Sequence, residues 1–170
     1  MNTVAKTEMT QARVERLNEV RPAYLEALTL VERLHRRLLD VIKDELDRCD
    51  EREINSVQAL LLFNVGGQEL TAGELRTRGH YLGSNVSYNL KKLVEAGYVH
   101  HERSASDKRS VRVRLTPKGQ AVRNRVDALY DRQLRAVEQV VGLGADELDR
   151  INKSLARLER YWTDQILYRL

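Results

Sequence analysis

The residues best suited to a chemical role lie in two groups near the middle of the chain. The first group places hydroxyl, amide and ammonium side chains within nine residues: Ser84, Asn85, Ser87, Tyr88, Lys91 and Lys92. The second group is a basic run with one acidic neighbour: Asp107, Lys108, Arg109 and Arg112. Hydroxyl and amide groups can bind base edges or phosphates of duplex DNA, and lysine or arginine can neutralise phosphates. Both groups therefore indicate nucleic-acid binding, with an ordinary solvated surface as the alternative.

Positive charge is concentrated in the same part of the chain. From Arg76 to Arg125, twelve Lys and Arg residues stand against three acidic residues, a net charge of +9, whereas the rest of the chain carries −5. A basic centre between acidic flanks is the distribution expected of a nucleic-acid footprint. Composition alone would fit solvated charge equally well.

Other chemistries find little support in the sequence. The chain lacks a G-x-x-x-x-G-K-[ST] phosphate loop, an H-E-x-x-H motif and a G-x-S-x-G motif, so we predict no enzymatic activity and no cofactor. The single Cys49 and the four histidines lack zinc spacing, so no metal site is predicted. We interpret Cys49 as a plain thiol, with a redox sensor as the alternative. The absence of a long apolar run or signal core predicts a cytoplasmic protein without membrane contact.

The chain has only two prolines and many Leu, Arg, Glu and Ala residues, a composition that predicts a mostly helical protein. Apolar residues recur every three or four positions after Pro22, which predicts a long helix ending near Asp50. A second helix, residues 57–65, opens at Asn55-Ser56. A short third helix follows Thr71, whose spacing from Glu74 is that of a capping box.

The next elements carry the polar groups. A helix from Ser84 to Ala96 has its apolar residues on one side and its polar, basic residues on the other. Strand-like runs at residues 98–103 and 111–115 flank a charged loop and predict a two-stranded ribbon. After Thr116-Pro117, one helix is predicted toward Val141 and another over residues 145–170.

The stretch from residue 82 to 119 resembles the winged helix of the MarR family of transcriptional regulators. The family pattern reads S-x-V-T, an amphipathic helix, G-L-V, a basic run, D-x-R and L-T-x-x-G. Here the same order appears without a gap as Ser84-Asn85-Val86-Ser87, Gly97-Tyr98-Val99, Asp107-Lys108-Arg109 and Leu115-Thr116-Pro117-Lys118-Gly119. The flanking helices extend the resemblance over most of residues 22–170.

The resemblance implies specific roles for these residues. The helix from Ser84 to Ala96 would lie in the major groove, and Arg109 would enter the minor groove from the wing tip. Asp107 would orient Arg109 rather than contact DNA. The predicted DNA-binding residues are Ser84, Asn85, Ser87, Tyr88, Lys91, Lys92, Lys108, Arg109 and Arg112.

The resemblance also implies a homodimer, because family members dimerise through their terminal helices. Apolar stripes on those helices would stay in water without a partner, and Tyr161, Trp162 and Tyr168 are candidates to fill the interface. Many family members release DNA when a small aromatic or phenolic effector binds, so such an effector is a further expected partner.

We therefore predict a mainly α (α+β) fold, a winged helix–turn–helix with N- and C-terminal dimerisation helices. Residues 1–21 are a tail or short helix, 22–53 the first dimerisation-associated helix, 54–118 the DNA-binding lobe and 119–170 the C-terminal dimerisation helices. The predicted function is sequence-specific binding of double-stranded DNA at pseudo-palindromic operators, as a homodimeric, ligand-responsive repressor. The alternative is a winged-helix protein–protein interaction module whose basic wing binds an acidic partner.

Overall fold

The computed structural model describes residues 3–66, 70–71, 83–103 and 111–168, which are mainly helical. The short helix predicted after Thr71 and the loop at residues 104–110 lie outside these ranges. The described elements are α1 (Thr3–Arg48), α2 (Ser56–Val65), β1 (Leu70–Thr71), α3 (Gly83–Glu95), β2 (Val99–Arg103), β3 (Val111–Leu115), α4 (Pro117–Ala136), a π-helix (Val137–Val141) and α5 (Ala145–Tyr168). This content confirms the predicted mainly α class with a small sheet.

One continuous helix, α1, replaces the predicted tail and later helix start at the N-terminus. Pro22 lies inside α1 rather than at its first turn, so the predicted boundary between residues 21 and 22 is wrong. Proline removes one backbone donor and disfavours helix in the preceding residue. The flanking residues are rich in Ala, Leu, Glu and Arg, which favour helix strongly enough to continue it through the proline.

The second helix begins where the sequence predicts. The Asn55 side chain accepts a hydrogen bond from the Gln58 backbone N–H at 2.9 Å, and Gln58 Oε1 accepts one from the Asn55 N–H at 3.0 Å. This reciprocal capping box satisfies two N–H groups that the helix itself leaves unpaired. The helix ends at Gly66, whose φ of 69° is available mainly to glycine.

The sheet has three strands in the order β1-β3-β2, one more than predicted. Strands β2 and β3 pair antiparallel, with Val99 opposite Leu115 and Arg103 opposite Val111, which confirms the predicted ribbon. The extra strand, β1, pairs Leu70 with Val113. Two residues are too few to show a period-2 pattern, so the sequence gives no signal for β1.

The chain divides into two compact units, residues 1–126 and 127–170. In the first unit, the last turns of α1, α2, the inner side of α3 and the sheet enclose a core that includes Ile42, Leu62, Leu93 and Val113. The second unit holds the end of α4, the π-helix and α5. The predicted division after residue 118 therefore falls within the first turns of α4, eight residues before the boundary between the units.

Candidate nucleic-acid interface

Helix α3 separates a buried side from a polar side, as predicted. Leu90 and Leu93 are 5% and 0% exposed and attach the helix to the core, whereas Tyr88 is 63% exposed on the opposite side. Gly97, with φ of 76°, ends the turn after the helix. The first unit therefore presents one face of α3 while holding the other firmly in place.

The predicted recognition residues follow the outer face of α3. Positions 84, 88, 91 and 95 are spaced by four, three and four residues, which places them in one line along a helix. Ser87, Tyr88, Lys91 and Lys92 are exposed. Ser84 and Asn85 belong to the first turn of α3, and their side chains lie outside the described residues. The backbone thus aligns Ser84, Tyr88 and Lys91 on one surface.

Both lysines of this face lie near Glu95, an acidic neighbour that the sequence analysis missed. The Nζ atoms of Lys91 and Lys92 are 3.8 and 3.3 Å from the Glu95 carboxylate oxygens. All three side chains are about half exposed or more, so solvent screens the pairs strongly. In the sequence, these ion pairs were indicated by the spacing of Glu95, four residues after Lys91 and three after Lys92. The lysines can exchange this carboxylate for a phosphate at little cost.

The outer face of the wing strands carries a second set of basic side chains. Alternation puts Val99 and Val113 inward, where they are buried, and His100, Arg112 and Arg114 outward, where they are exposed. Arg114 was not among the predicted site residues, although its alternation with Val113 in the sequence gave the signal. The other wing residues, Asp107, Lys108 and Arg109, lie outside the described residues.

Hydrogen bonds at the base of the wing connect two of the sequence motifs, Gly97-Tyr98-Val99 and the L-T-x-x-G segment. The Thr116 hydroxyl donates to the Gly97 carbonyl at 2.7 Å, and the Thr116 N–H donates to the Tyr98 carbonyl at 3.0 Å. The Gly119 N–H in turn donates to Thr116 Oγ1 at 3.1 Å. A Cβ on Gly119 would clash with the Tyr98 carbonyl oxygen. The L-T-x-x-G segment therefore joins the end of α3 to the end of β3.

A polar cluster lies beside this joint and was not predicted. We call Glu51, Glu53, Tyr98, Lys118 and Arg125 the Tyr98 cluster. The Tyr98 hydroxyl lies 2.8 Å from Glu51 Oε1 and 3.1 Å from Glu53 Oε2. Lys118 bonds to Glu53, donates to the Ala96 carbonyl at 3.1 Å and lies 4.1 Å from the Tyr98 ring centroid. Arg125 pairs with Glu51 at 3.3 Å.

Electrostatics fix the protonation states within the Tyr98 cluster. Burial, reinforced by the Glu51 carboxylate, raises the pKa of Tyr98, so its hydroxyl stays neutral and donates. The hydrogen bond from Lys118, followed by the one from Tyr98, lowers the pKa of Glu53. The cluster therefore combines a neutral phenol with an ionised Glu53 near neutral pH.

The described residues hold neither a cluster suited to a metal ion nor a membrane-spanning helix. Over residues 3–66, 70–71, 83–103 and 111–168, no three His, Cys, Asp or Glu side chains lie together as a metal site would require. In the same ranges, no helix is both long and apolar enough to cross a membrane. Cys49 is exposed and has no disulfide partner.

The sequence matches a DNA-binding family model and a transcriptional regulator. Residues 54–119 match the family model described as a winged helix DNA-binding domain. The exopolysaccharide II synthesis transcriptional activator ExpG of Rhizobium meliloti (strain 1021) is 36% identical over 148 residues, which cover 85% of this chain and 74% of ExpG.

Solved structures show the same fold. The transcriptional regulator SlyA superposes with a TM-score of 0.69 at 18% identity, covering 82% of this chain and 95% of SlyA. A mutant MarR from E. coli complexed with operator DNA superposes with a TM-score of 0.62 at 24% identity, covering 84% of this chain and 96% of that one. These similarities confirm the predicted winged-helix architecture.

Proposed function

The chain belongs to the MarR family of winged-helix, DNA-binding transcriptional regulators, and on that premise we propose that it acts as a homodimeric, ligand-responsive repressor at pseudo-palindromic operators. The observation that carries this proposal is the exposed outer face of α3, with Tyr88, Lys91 and Lys92 on a helix anchored by Leu90 and Leu93. Such a face supplies hydrogen-bonding groups for base edges and cations for phosphates.

The wing strands support DNA contact next to this helix. Helix α3 packs against β2, and the outer face of β2 and β3 carries His100, Arg112 and Arg114. Adjacent cationic surfaces fit a duplex better than a compact acidic peptide, because a phosphate backbone extends across both. In the proposal, Arg109 enters the minor groove from the wing tip and Asp107 orients it. Lys108 and Arg112 add phosphate contacts.

The second unit supports the homodimer. Along α5, the large apolar residues Ile151, Leu155, Trp162 and Ile166 are between 37% and 77% exposed within one chain. Their spacing places them on one side of the helix. An apolar face of this length on a terminal helix favours a covering partner, and a second copy also supplies the second DNA-binding head that a pseudo-palindrome needs.

Sedimentation tests the oligomeric state. The full chain should sediment at low micromolar concentration with about twice its mass of 19.7 kDa. Removal of residues 145–170 should abolish dimerisation together with tight operator binding, since half-sites about 34 Å apart require two linked heads. A stable monomer with full operator affinity would contradict the proposal.

Duplex binding tests the DNA contact. Genomic fragments retained by the purified protein are sequenced, and their affinities are compared with random duplex across a salt series. A steep salt dependence with strong sequence preference supports operator binding. Weak, sequence-independent binding would favour the protein–protein module with an acidic partner.

Transcriptional activation is a second candidate function, because the relative ExpG is named an activator. A reporter driven by the retained operator distinguishes the two signs: the repressor lowers expression, and the activator raises it. Aromatic acids and phenols are then screened for thermal stabilisation and for operator release. A ligand that acts by population shift must bind the DNA-incompetent form more tightly. Stabilisers that never alter operator affinity would contradict ligand response.

A further inference from the structure

Three segments that are distant in sequence meet in the Tyr98 cluster. Glu51 and Glu53 come from the turn between α1 and α2, Tyr98 directly precedes β2, and Lys118 and Arg125 belong to α4. The bonds from Tyr98 to the two glutamates span 47 and 45 residues, and the pair of Arg125 with Glu51 spans 74. The cluster therefore ties a helix–helix turn and α4 to the first strand of the wing.

The backbone of Tyr98 extends this connection to the DNA-binding elements. Its N–H donates to the Leu93 carbonyl at 2.9 Å, at the end of α3, and its carbonyl accepts from Thr116 at 3.0 Å, at the end of β3. A displacement of Tyr98 would therefore be transmitted to the recognition helix and to both wing strands.

Stability alone is a poor explanation for this polar arrangement. The Tyr98 side chain is fully buried, and an apolar side chain of similar shape could fill the same space without polar partners. The Glu53 and Lys118 side chains are 63% and 45% exposed, and ion pairs of that exposure add little to folding stability. One phenolic hydrogen faces two carboxylates, each of which has its own cation. A network of this kind favours the geometry in which every one of its polar groups keeps its partner.

We propose that Tyr98, Glu51 and Glu53 are positioning residues for DNA binding, which hold the wing in place relative to the α1–α2 turn and α4 without contacting DNA. Tyr98 has no exposed surface with which to reach a ligand. The glutamates carry the same charge sign as phosphate and would be repelled by it. This inference rests on the proposed DNA-binding function.

Glu53→Gln gives the most decisive test, because electrostatics and positioning predict opposite results. The substitution removes a negative charge and would by charge alone tighten DNA binding. It also weakens the attachment to Lys118, and the positioning role predicts several-fold weaker operator binding. Glu32→Gln, which removes the same charge from an exposed i,i+4 pair with Arg36 on α1, is the matched control. It should bind at least as tightly as the wild type.

Tyr98→Phe adds a test without a charge change. The substitution removes the hydroxyl and keeps the ring. We expect about tenfold weaker operator binding. The slope of log affinity against log salt concentration should become shallower by about one unit, as for the loss of one phosphate contact. Affinity is measured at a temperature where circular dichroism shows each variant fully folded, since a purely structural role would then leave affinity unchanged. If Tyr98→Phe does not fold, Glu53→Gln decides alone.

A double-mutant cycle with Arg109→Ala tests whether Tyr98 acts through the wing. If it does, Tyr98→Phe should cost much less affinity once Arg109 has been removed, and the losses should be clearly non-additive. Fully additive losses would overturn the inference, as would a Glu53→Gln protein that binds as tightly as the wild type. Failure of the wild type to bind any duplex would instead overturn the proposed function itself.

Discussion

On the outer face of α3, Lys91 and Lys92 lie 3.8 and 3.3 Å from the Glu95 carboxylate; beneath the wing, Lys118 bonds to the carboxylate of Glu53. The first pairing joins neighbours on one helix, and the side chains of both pairings are roughly half exposed. The second joins residues 65 positions apart and continues into a buried phenol. Lysine and glutamate therefore form two different arrangements. We call Tyr88, Lys91, Lys92 and Glu95 on α3 the exchangeable surface. We call the Tyr98 cluster together with the adjoining L-T-x-x-G segment the fixed joint.

The difference follows from sequence separation and from the buried Tyr98 hydroxyl that Glu53 also binds, since the two ion pairs themselves are similarly exposed. A local pair on a helix loses little when one partner moves to another ligand, because the helix backbone persists without it. A long-range pair that includes a buried hydroxyl cannot change partners without moving the segments that it joins. Contact with DNA suits the first arrangement and control of geometry suits the second.

The largest effect is expected at the joint itself, from Gly119→Ser. The serine Cβ would clash with the Tyr98 carbonyl oxygen, so the start of β2 and the first turn of α4 must move apart. We expect the free energy of unfolding to fall by about 1–3 kcal/mol, as for other overpacked sites. Chemical denaturation measures it.

Gly144→Ser is the matched control for Gly119→Ser. A Cβ at Gly144 would meet nothing within 4 Å, and the residue precedes α5, where serine is a favourable N-cap. The free energy of unfolding of Gly144→Ser should equal that of the wild type or exceed it slightly. Equal losses in both variants would show that the contact between Gly119 and Tyr98 does not constrain the joint.

The sequence predicted the exchangeable surface better than the joint. The polar and apolar sides of α3 follow from a 3.6-residue period within thirteen residues, and β3 follows from the alternation of Val111, Val113 and Leu115. The Tyr98 cluster has no such local signature, because its members come from three segments. Tyr98 itself sits in a position that reads as apolar in the family pattern, so its hydroxyl partners were visible only in three dimensions.

The continuity of two helices was also predicted incorrectly or incompletely from the sequence. Pro22 predicted a helix start, yet α1 continues through it because the neighbouring residues favour helix. The helix after Pro117 runs as predicted toward Val141, but its last five residues, Val137–Val141, form a π-helix. Nothing in the spacing of the apolar residues distinguishes that turn from an α-helical one.

On the exchangeable surface, Tyr88→Ala should have the largest effect on DNA binding. Tyr88 is exposed at the centre of the outer face of α3 and is proposed to reach base edges. We expect the operator to lose about 1–3 kcal/mol of binding free energy, and random duplex to lose much less. Paired affinity measurements on the two duplexes give the result. Equal losses on both would place Tyr88 against the backbone instead.

Arg109→Ala should weaken binding less selectively. Base edges in the minor groove distinguish sequences poorly, so the affinities for operator and for random duplex should fall together. The slope of log affinity against log salt concentration should become shallower by about one unit. Asp107→Ala should give a milder form of the same change, because the arginine remains but is oriented less well. Unchanged affinities for both duplexes in Arg109→Ala would refute the assignment of the wing tip.

The smallest effect, and the sharpest contrast, is expected from Glu95→Gln. Glu95 pairs with Lys91 and Lys92, so in the proposed complex it would compete with phosphate for them, and its removal would also lower the repulsion between α3 and DNA. Both effects favour binding, so operator and random duplex should each bind about two- to threefold more tightly at low salt, and the gain should disappear as salt screens the charges. Glu53→Gln removes the same charge from the same unit and should weaken binding. If both glutamine variants tighten binding equally, charge alone governs the two sites, and the distinction between an exchangeable surface and a fixed joint fails. If Glu95→Gln weakens binding instead, Glu95 must position the lysines rather than compete for them.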